Sequence, residues 1–167
     1  PSVDFTIAAW FNWTTNPSPY YSGIPGGGVS WELRVRADGR FAIIFYQAIG
    51  PDIVTSAVSP GAYNDGTWHH AAGVLQSGLA KLYVDGVLVA QDTTNPITSV
   101  RPSTQTVVGS IASGFVGAID EVRIFHSAGQ AGDTHRAAAD LLRQRRQVGQ
   151  RGHHIQPRPG DRRQEHR

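Results

Sequence analysis

The run Thr67–Ala90, TWHHAAGVLQSGLAKLYVDGVLVA, constrains the fold more than any other segment of this chain. Leu79–Val84 and Val87–Gln91 are rich in β-favouring residues, and only Asp85-Gly86 separates them. A two-residue hairpin turn needs positive φ angles, which an Asp-Gly pair adopts at small cost. The same pattern stands upstream, where Asp38-Gly39 separates Trp31–Ala37 from Arg40–Gln47. Two such hairpins with no strong helix between them predict an all-β chain. Function is then expected in loops and on sheet faces.

The other segments fit that class. In Asp4–Thr14, Phe5, Ile7, Ala9, Phe11 and Trp13 share one face, and Thr6, Ala8, Trp10 and Asn12 the other. Both faces are mostly apolar, as in a central strand. Residues 16–28 hold three Pro and four Gly and read as loop. Trp31, Leu33 and Val35 alternate with Glu32, Arg34 and Arg36, and Phe41, Ile43 and Phe45 answer across the hairpin. Asp52–Val58 reads as a weaker strand, Pro60–Thr67 and Thr93–Ser103 as loops, and Gln105–Ile111 and Phe115–Phe125 as strands. In the last, Ile119, Glu121, Arg123 and Phe125 are expected on one face, against Asp120, Val122 and Ile124. About ten strands at short intervals describe a two-sheet antiparallel β-sandwich.

The 167 residues suit one domain. Without Cys, disulfides and thiolate metal sites are excluded. No apolar run approaches the roughly 20 residues of a membrane helix, so membrane insertion is not expected. There is no Met, so Pro1 reads as the start of a processed or partial chain whose export signal would lie upstream.

The formal charge of +2 is unevenly spread. Residues 1–125 carry six Arg/Lys against nine Asp/Glu, a balance of −3, whereas residues 126–167 carry nine Arg against four Asp/Glu, a balance of +5. After Phe125 the composition turns to Gln, Arg, Gly, His and Pro. Thr134–Arg146, with Leu141 and Leu142, predicts a short helix, and nothing beyond Val148 can bury a core. The expected division is a sandwich over 1–125, a segment with a short helix over 126–148 and a disordered Arg-rich tail over 149–167. That tail lacks interleaved aromatics, so nucleic acid is not an expected partner.

Three ordered segments, DFTIAAWFN, GTWHHAAGV followed by LYVDGVLVA, and GAIDEVRIF, resemble the laminin-G-like jelly roll of the concanavalin A-like lectin/glucanase superfamily, in its bacterial type. Together they span most of Asp4–Phe125. The resemblance implies an earlier strand that this sequence lacks, and so an unpaired edge at Gly117–Phe125 or a neighbour. It also implies a short Leu-Ser-x-x-Glu-type helix after Phe125. HSAGQAGDTHRAAADLLRQRR stands there instead and resembles translation of a GC-rich gene in a shifted frame.

The superfamily includes glucanases, whose retaining mechanism needs two carboxylates about 5–5.5 Å apart. Their Glu-x-Asp-x-x-Glu-type run is absent, and Asp120 and Glu121, as strand neighbours, point to opposite faces. No enzymatic activity is expected. His69 and His70 also face opposite ways and cannot share a metal ion, so one inward and one outward structural histidine is expected. By the resemblance, Asp120 is the candidate ligand for a structural calcium ion. The resemblance further implies sugar contacts from rim loops, where Tyr20 and Tyr21 occupy one loop and Tyr63, Asn64 and Asp65 another. Tyr and Asn are also ordinary turn residues. The expectation is a non-catalytic module of a larger secreted or cell-surface protein, recognising a glycan or an extracellular protein. An accessory carbohydrate-binding module of a polysaccharide-degrading enzyme is the alternative.

Overall fold

The computed structural model describes residues 4–15, 22–25, 30–48, 53–102, 107–108 and 115–125. The segment expected to hold a short helix, the expected disordered tail, and Tyr20 and Tyr21 lie outside the described residues. So does most of the strand expected over Gln105–Ile111. What is described is an antiparallel β-sandwich of nine strands.

One sheet has the order β8-β7-β6-β1-β9, built from β1 (Phe5–Asn12), β6 (His69–Gln76), β7 (Leu79–Val84), β8 (Val87–Gln91) and β9 (Ala118–Phe125). The other has the order β2-β3-β4-β5, built from β2 (Ser22–Pro25), β3 (Trp31–Val35), β4 (Arg40–Tyr46) and β5 (Val54–Ala62). Phe5, Ile7, Ala9 and Phe11 of β1 face Leu33, Val35, Phe41, Ile43 and Phe45 across the interior. As expected of a central strand, β1 is buried on its other face too, where Ala8 packs with Ala72 and Val74.

The two hairpins differ in their turns. At β7–β8, Asp85 (φ 51°) and Gly86 (φ 83°) are both left-handed, which joins Val84 to Val87 in two residues. At β3–β4 only Gly39 has positive φ (78°), and Arg36 O accepts Gly39 N. That turn therefore uses three residues, a tight turn ending in a left-handed glycine, rather than the expected two.

Three further expectations are corrected. Ser22–Pro25, read as loop, is a strand paired with β3, with Pro25 at its terminus on an edge strand, where a missing donor matters least. The strand β5 runs on through Pro60-Gly61 to Ala62. It does so because its register shifts there and buried Ser59 fills the gap: Phe41 N donates to Ser59 Oγ (3.0 Å), which donates to Gly61 O (2.8 Å). Finally, β9 does not keep strict alternation. It carries an extra residue opposite Ala9, with Glu121 at φ 51°, so Ile119 and then Val122 turn to the core. Among the described residues β9 pairs only with β1.

Candidate functional site at one rim of the sandwich

Three connections meet at one end of the sandwich: the β3–β4 turn, the β5–β6 connection and the β7–β8 turn. The chain leaving β1 ties them together. Gly66 N donates to Trp13 O (3.0 Å), Asn12 Nδ2 to Gly66 O (2.7 Å) and Tyr63 N to Gly39 O (2.9 Å). Asn64 Nδ2 reaches Thr14 O at 3.5 Å. A Cβ on Gly39 would run into the Asn64 amide, so the glycine there permits both the turn and the approach of Asn64.

Asp65 Oδ1 accepts Thr67 N (2.8 Å) and Thr67 Oγ1 (2.7 Å), the local turn that this residue type favours. Those bonds, with a smaller contribution from His69, hold the Asp65 carboxyl at about 2. His69 lies between two carboxylates. Its Nδ1 is 2.8 Å from Asp85 Oδ2, and its Nε2 is 3.2 Å from Asp65 Oδ1 and 3.0 Å from Thr67 Oγ1. Asp85 Oδ1 accepts His70 N (2.8 Å). The same aspartate thus makes the hairpin turn, extends the ladder and orients the imidazole. The side chains of Asp65 and Asp85 are 59% and 41% exposed and that of His69 only 15%, so the carboxylates face solvent and the ring backs them.

The Tyr63 ring packs on Phe41 (centroids 5.4 Å) and edge-on to His69 (5.0 Å). Partial burial, followed by the Asp85 charge, raises its phenol pKa. Beside it, Asp38 binds Arg40 (2.7 Å) and Arg36 (3.4 Å). The bond from Arg40 is the largest influence on the Asp38 carboxyl and lowers its pKa.

Tyr63, Asn64 and Asp65 therefore come together, as a contiguous segment must. His69, Asp85 and Thr67 join them, and sequence reasoning did not assign them to the site. A signal existed: Asp65-Gly66-Thr67 is a turn sequence that ends two residues before His69. Asp85 read only as a turn residue. His70, as expected, faces away from His69; it is 2% exposed beside Trp10 on the outer face of the five-stranded sheet. Trp10, Trp13 and Trp31 are buried.

Asp120 takes a local role. Its Oδ1 accepts Glu121 N (2.8 Å) in the β9 bulge, and Arg123 pairs with Glu121 (3.1 Å). Calcium takes six to eight oxygens. Among the described residues no three His, Cys, Asp or Glu side chains gather to hold a metal ion.

The family model for the concanavalin A-like lectin/glucanases superfamily matches residues 1–133. The chain belongs to that superfamily. Its laminin-G-like jelly roll also aligns with solved structures. One is the Ruminococcus gnavus IT-sialidase CBM40 bound to α2,3-sialyllactose (16% identity, TM-score 0.59, 81% of this chain and 82% of that one). A second is the binding domain of botulinum neurotoxin DC in complex with SialylT (15% identity, TM-score 0.61, 83% and 36%). A third is the heptameric SAP-like pentraxin of Limulus polyphemus (13% identity, TM-score 0.57, 81% and 70%). This jelly roll spans little more than a third of the toxin binding-domain chains, 36–37% of their length. At such identities the likeness is one of fold. No curated protein matches the sequence.

Proposed function

We propose that this laminin-G-like jelly roll is a non-catalytic recognition module that binds a glycan at the rim formed by Tyr63–His69 and Asp85. One observation carries the reading: two carboxylates, a hydroxyl and an imidazole from two connections converge beside an aromatic ring. Sugars are bound by that mixture of hydroxyl-bonding groups and an apolar surface. Tyr20 and Tyr21, in the sequence between β1 and β2, are proposed as further glycan contacts. Glycan-bound neighbours of the same fold support the reading.

Asp38, Asp65 and Asp92 are all displaced toward lower pKa, the opposite of what a glycosidase general acid requires. The proposed setting is a larger secreted or cell-surface protein. An accessory carbohydrate-binding module of a polysaccharide-degrading enzyme is the alternative setting, and the likeness in fold to CBM40 supports it.

Glycan-array screening followed by calorimetry tests the proposal. A hit is expected to weaken about fivefold or more in Asn64→Ala and in Tyr21→Ala, as loss of one polar or stacking contact implies. Binding to a protein but to no glycan would transfer the site to adhesion, and measurable glucan hydrolysis would overturn the non-catalytic assignment.

A further inference from the structure

The charges around the proposed site specify which glycans it takes. The two rim arginines share one carboxylate: Arg40 lies 2.7 Å and Arg36 3.4 Å from Asp38 Oδ2. Asp65 and Asp85 have only the His69 ring between them, and they are the most exposed charged groups of the network. Within residues 1–125 the surrounding charge does not offset them. Residues 1–125 carry a balance of −3, and the segments between residues 4 and 125 that are not described contain one charged residue, Asp52.

An anionic ligand needs a guanidinium or ammonium presented to it, and bidentate arginine is the usual means. Here a ligand carboxylate or sulfate meets two aspartates. Sugar hydroxyls, by contrast, donate readily to carboxylate oxygens and to the lone pairs of the Thr67 hydroxyl, whose own proton goes to Asp65 Oδ1.

We infer that the rim selects neutral, hydroxyl-rich glycans and rejects counterparts bearing a carboxylate or sulfate. The inference rests on the glycan-binding reading above. It sets this site apart from the sialyllactose-bound CBM40 of the same fold. The repulsion acts mainly through solvent, so it is modest in size and salt-dependent.

The test uses the full chain in about 0.15 M salt, on an array of matched pairs: neutral oligosaccharides and their sialylated or sulfated forms, lactose against α2,3-sialyllactose among them. Every neutral member that binds is expected to do so about tenfold or more tightly than its acidic partner. The double variant Asp65→Asn, Asp85→Asn is expected to shrink that ratio toward one. Both asparagines keep an acceptor oxygen, and Asn tolerates the left-handed conformation at position 85. The ratio remains readable even where absolute affinity falls. Equal or tighter binding of the acidic members would overturn the inference and leave glycan recognition standing, as would a ratio unmoved by the double variant. Absence of binding to every glycan would overturn the glycan reading itself, and the inference with it.

Discussion

Thr55 and Asp92 join the two sheets through one hydrogen bond: the Thr55 hydroxyl, fully buried in β5, donates to Asp92 Oδ2 (3.1 Å) just past the end of β8. The same hydroxyl accepts Ala80 N of β7 (2.9 Å), while Asp92 also accepts Ser56 N (3.2 Å), Thr94 N (2.8 Å) and Asn95 N (3.2 Å). Removing the carboxylate strands several donors, Thr55 at zero exposure among them. Asp92→Ala is therefore expected to cost about 2–3 kcal/mol, and Asp92→Asn less, in urea denaturation. A loss below about 0.5 kcal/mol would show that water replaces the carboxylate without penalty.

The same carboxylate gives a pH signature. Partial burial acts to raise its pKa, but hydrogen bonds from Thr94, Ser56, Asn95 and Thr55 outweigh it and hold the group at about 2. A depressed carboxylate stabilises the fold fully above its unfolded value, about 3.9, and ceases to do so as pH falls through the folded value. Stability is expected to fall between about pH 4 and 2, and the fall to be shallower in Asp92→Asn. Parallel denaturation curves for the two proteins across that range would contradict this.

Gly73 lies where β6 faces the opposite sheet, and a Cβ there would run into the side chain of Ile43. Gly73→Ala is expected to destabilise by about 1–3 kcal/mol, with partial recovery when Ile43→Ala opens space. Additive effects in the double variant would contradict a direct clash.

Glu121 holds φ 51° without being glycine, and it forms a half-buried pair with Arg123 (3.1 Å). Glu121→Gly is expected to leave stability unchanged or raise it by about 0.5–1 kcal/mol. A loss above about 1 kcal/mol would mean that the Glu121 side chain, and not the bulge geometry, sets that edge.

Asp120 is committed to Glu121 N, so chelation with EDTA is expected to leave Tm unchanged. A calcium-dependent rise in Tm that Asp120→Asn abolishes would place an ion there.

How much of this was legible depended on the range of the cause. Asp85-Gly86 encodes its turn locally, and alternation around Phe5–Phe11 and Leu33–Phe45 identified the facing core residues. Asp38-Gly39 looked the same in sequence, yet only the glycine turned left-handed, because the strands beyond it pair across three residues. β2 was hidden by its prolines and glycines, and its strand character comes from pairing with β3. The Glu121 bulge has no composition signal, so alternation failed halfway along β9. Tyr63, Asn64 and Asp65 could be named from loop chemistry. Asp85 joined them only through the β6–β7 pairing, which sets it beside His69 and His70 from well over a dozen residues away.

Glycan recognition at the rim is tested most directly by mapping backbone amide NMR shifts while the chain is titrated with a neutral oligosaccharide identified on the array. Saturable shifts are expected to concentrate at 63–69 and 85–86, with β2–β5 away from the rim unmoved. Shifts confined to the outer sheet faces, or spread evenly over the chain, would contradict a binding site at Tyr63–His69.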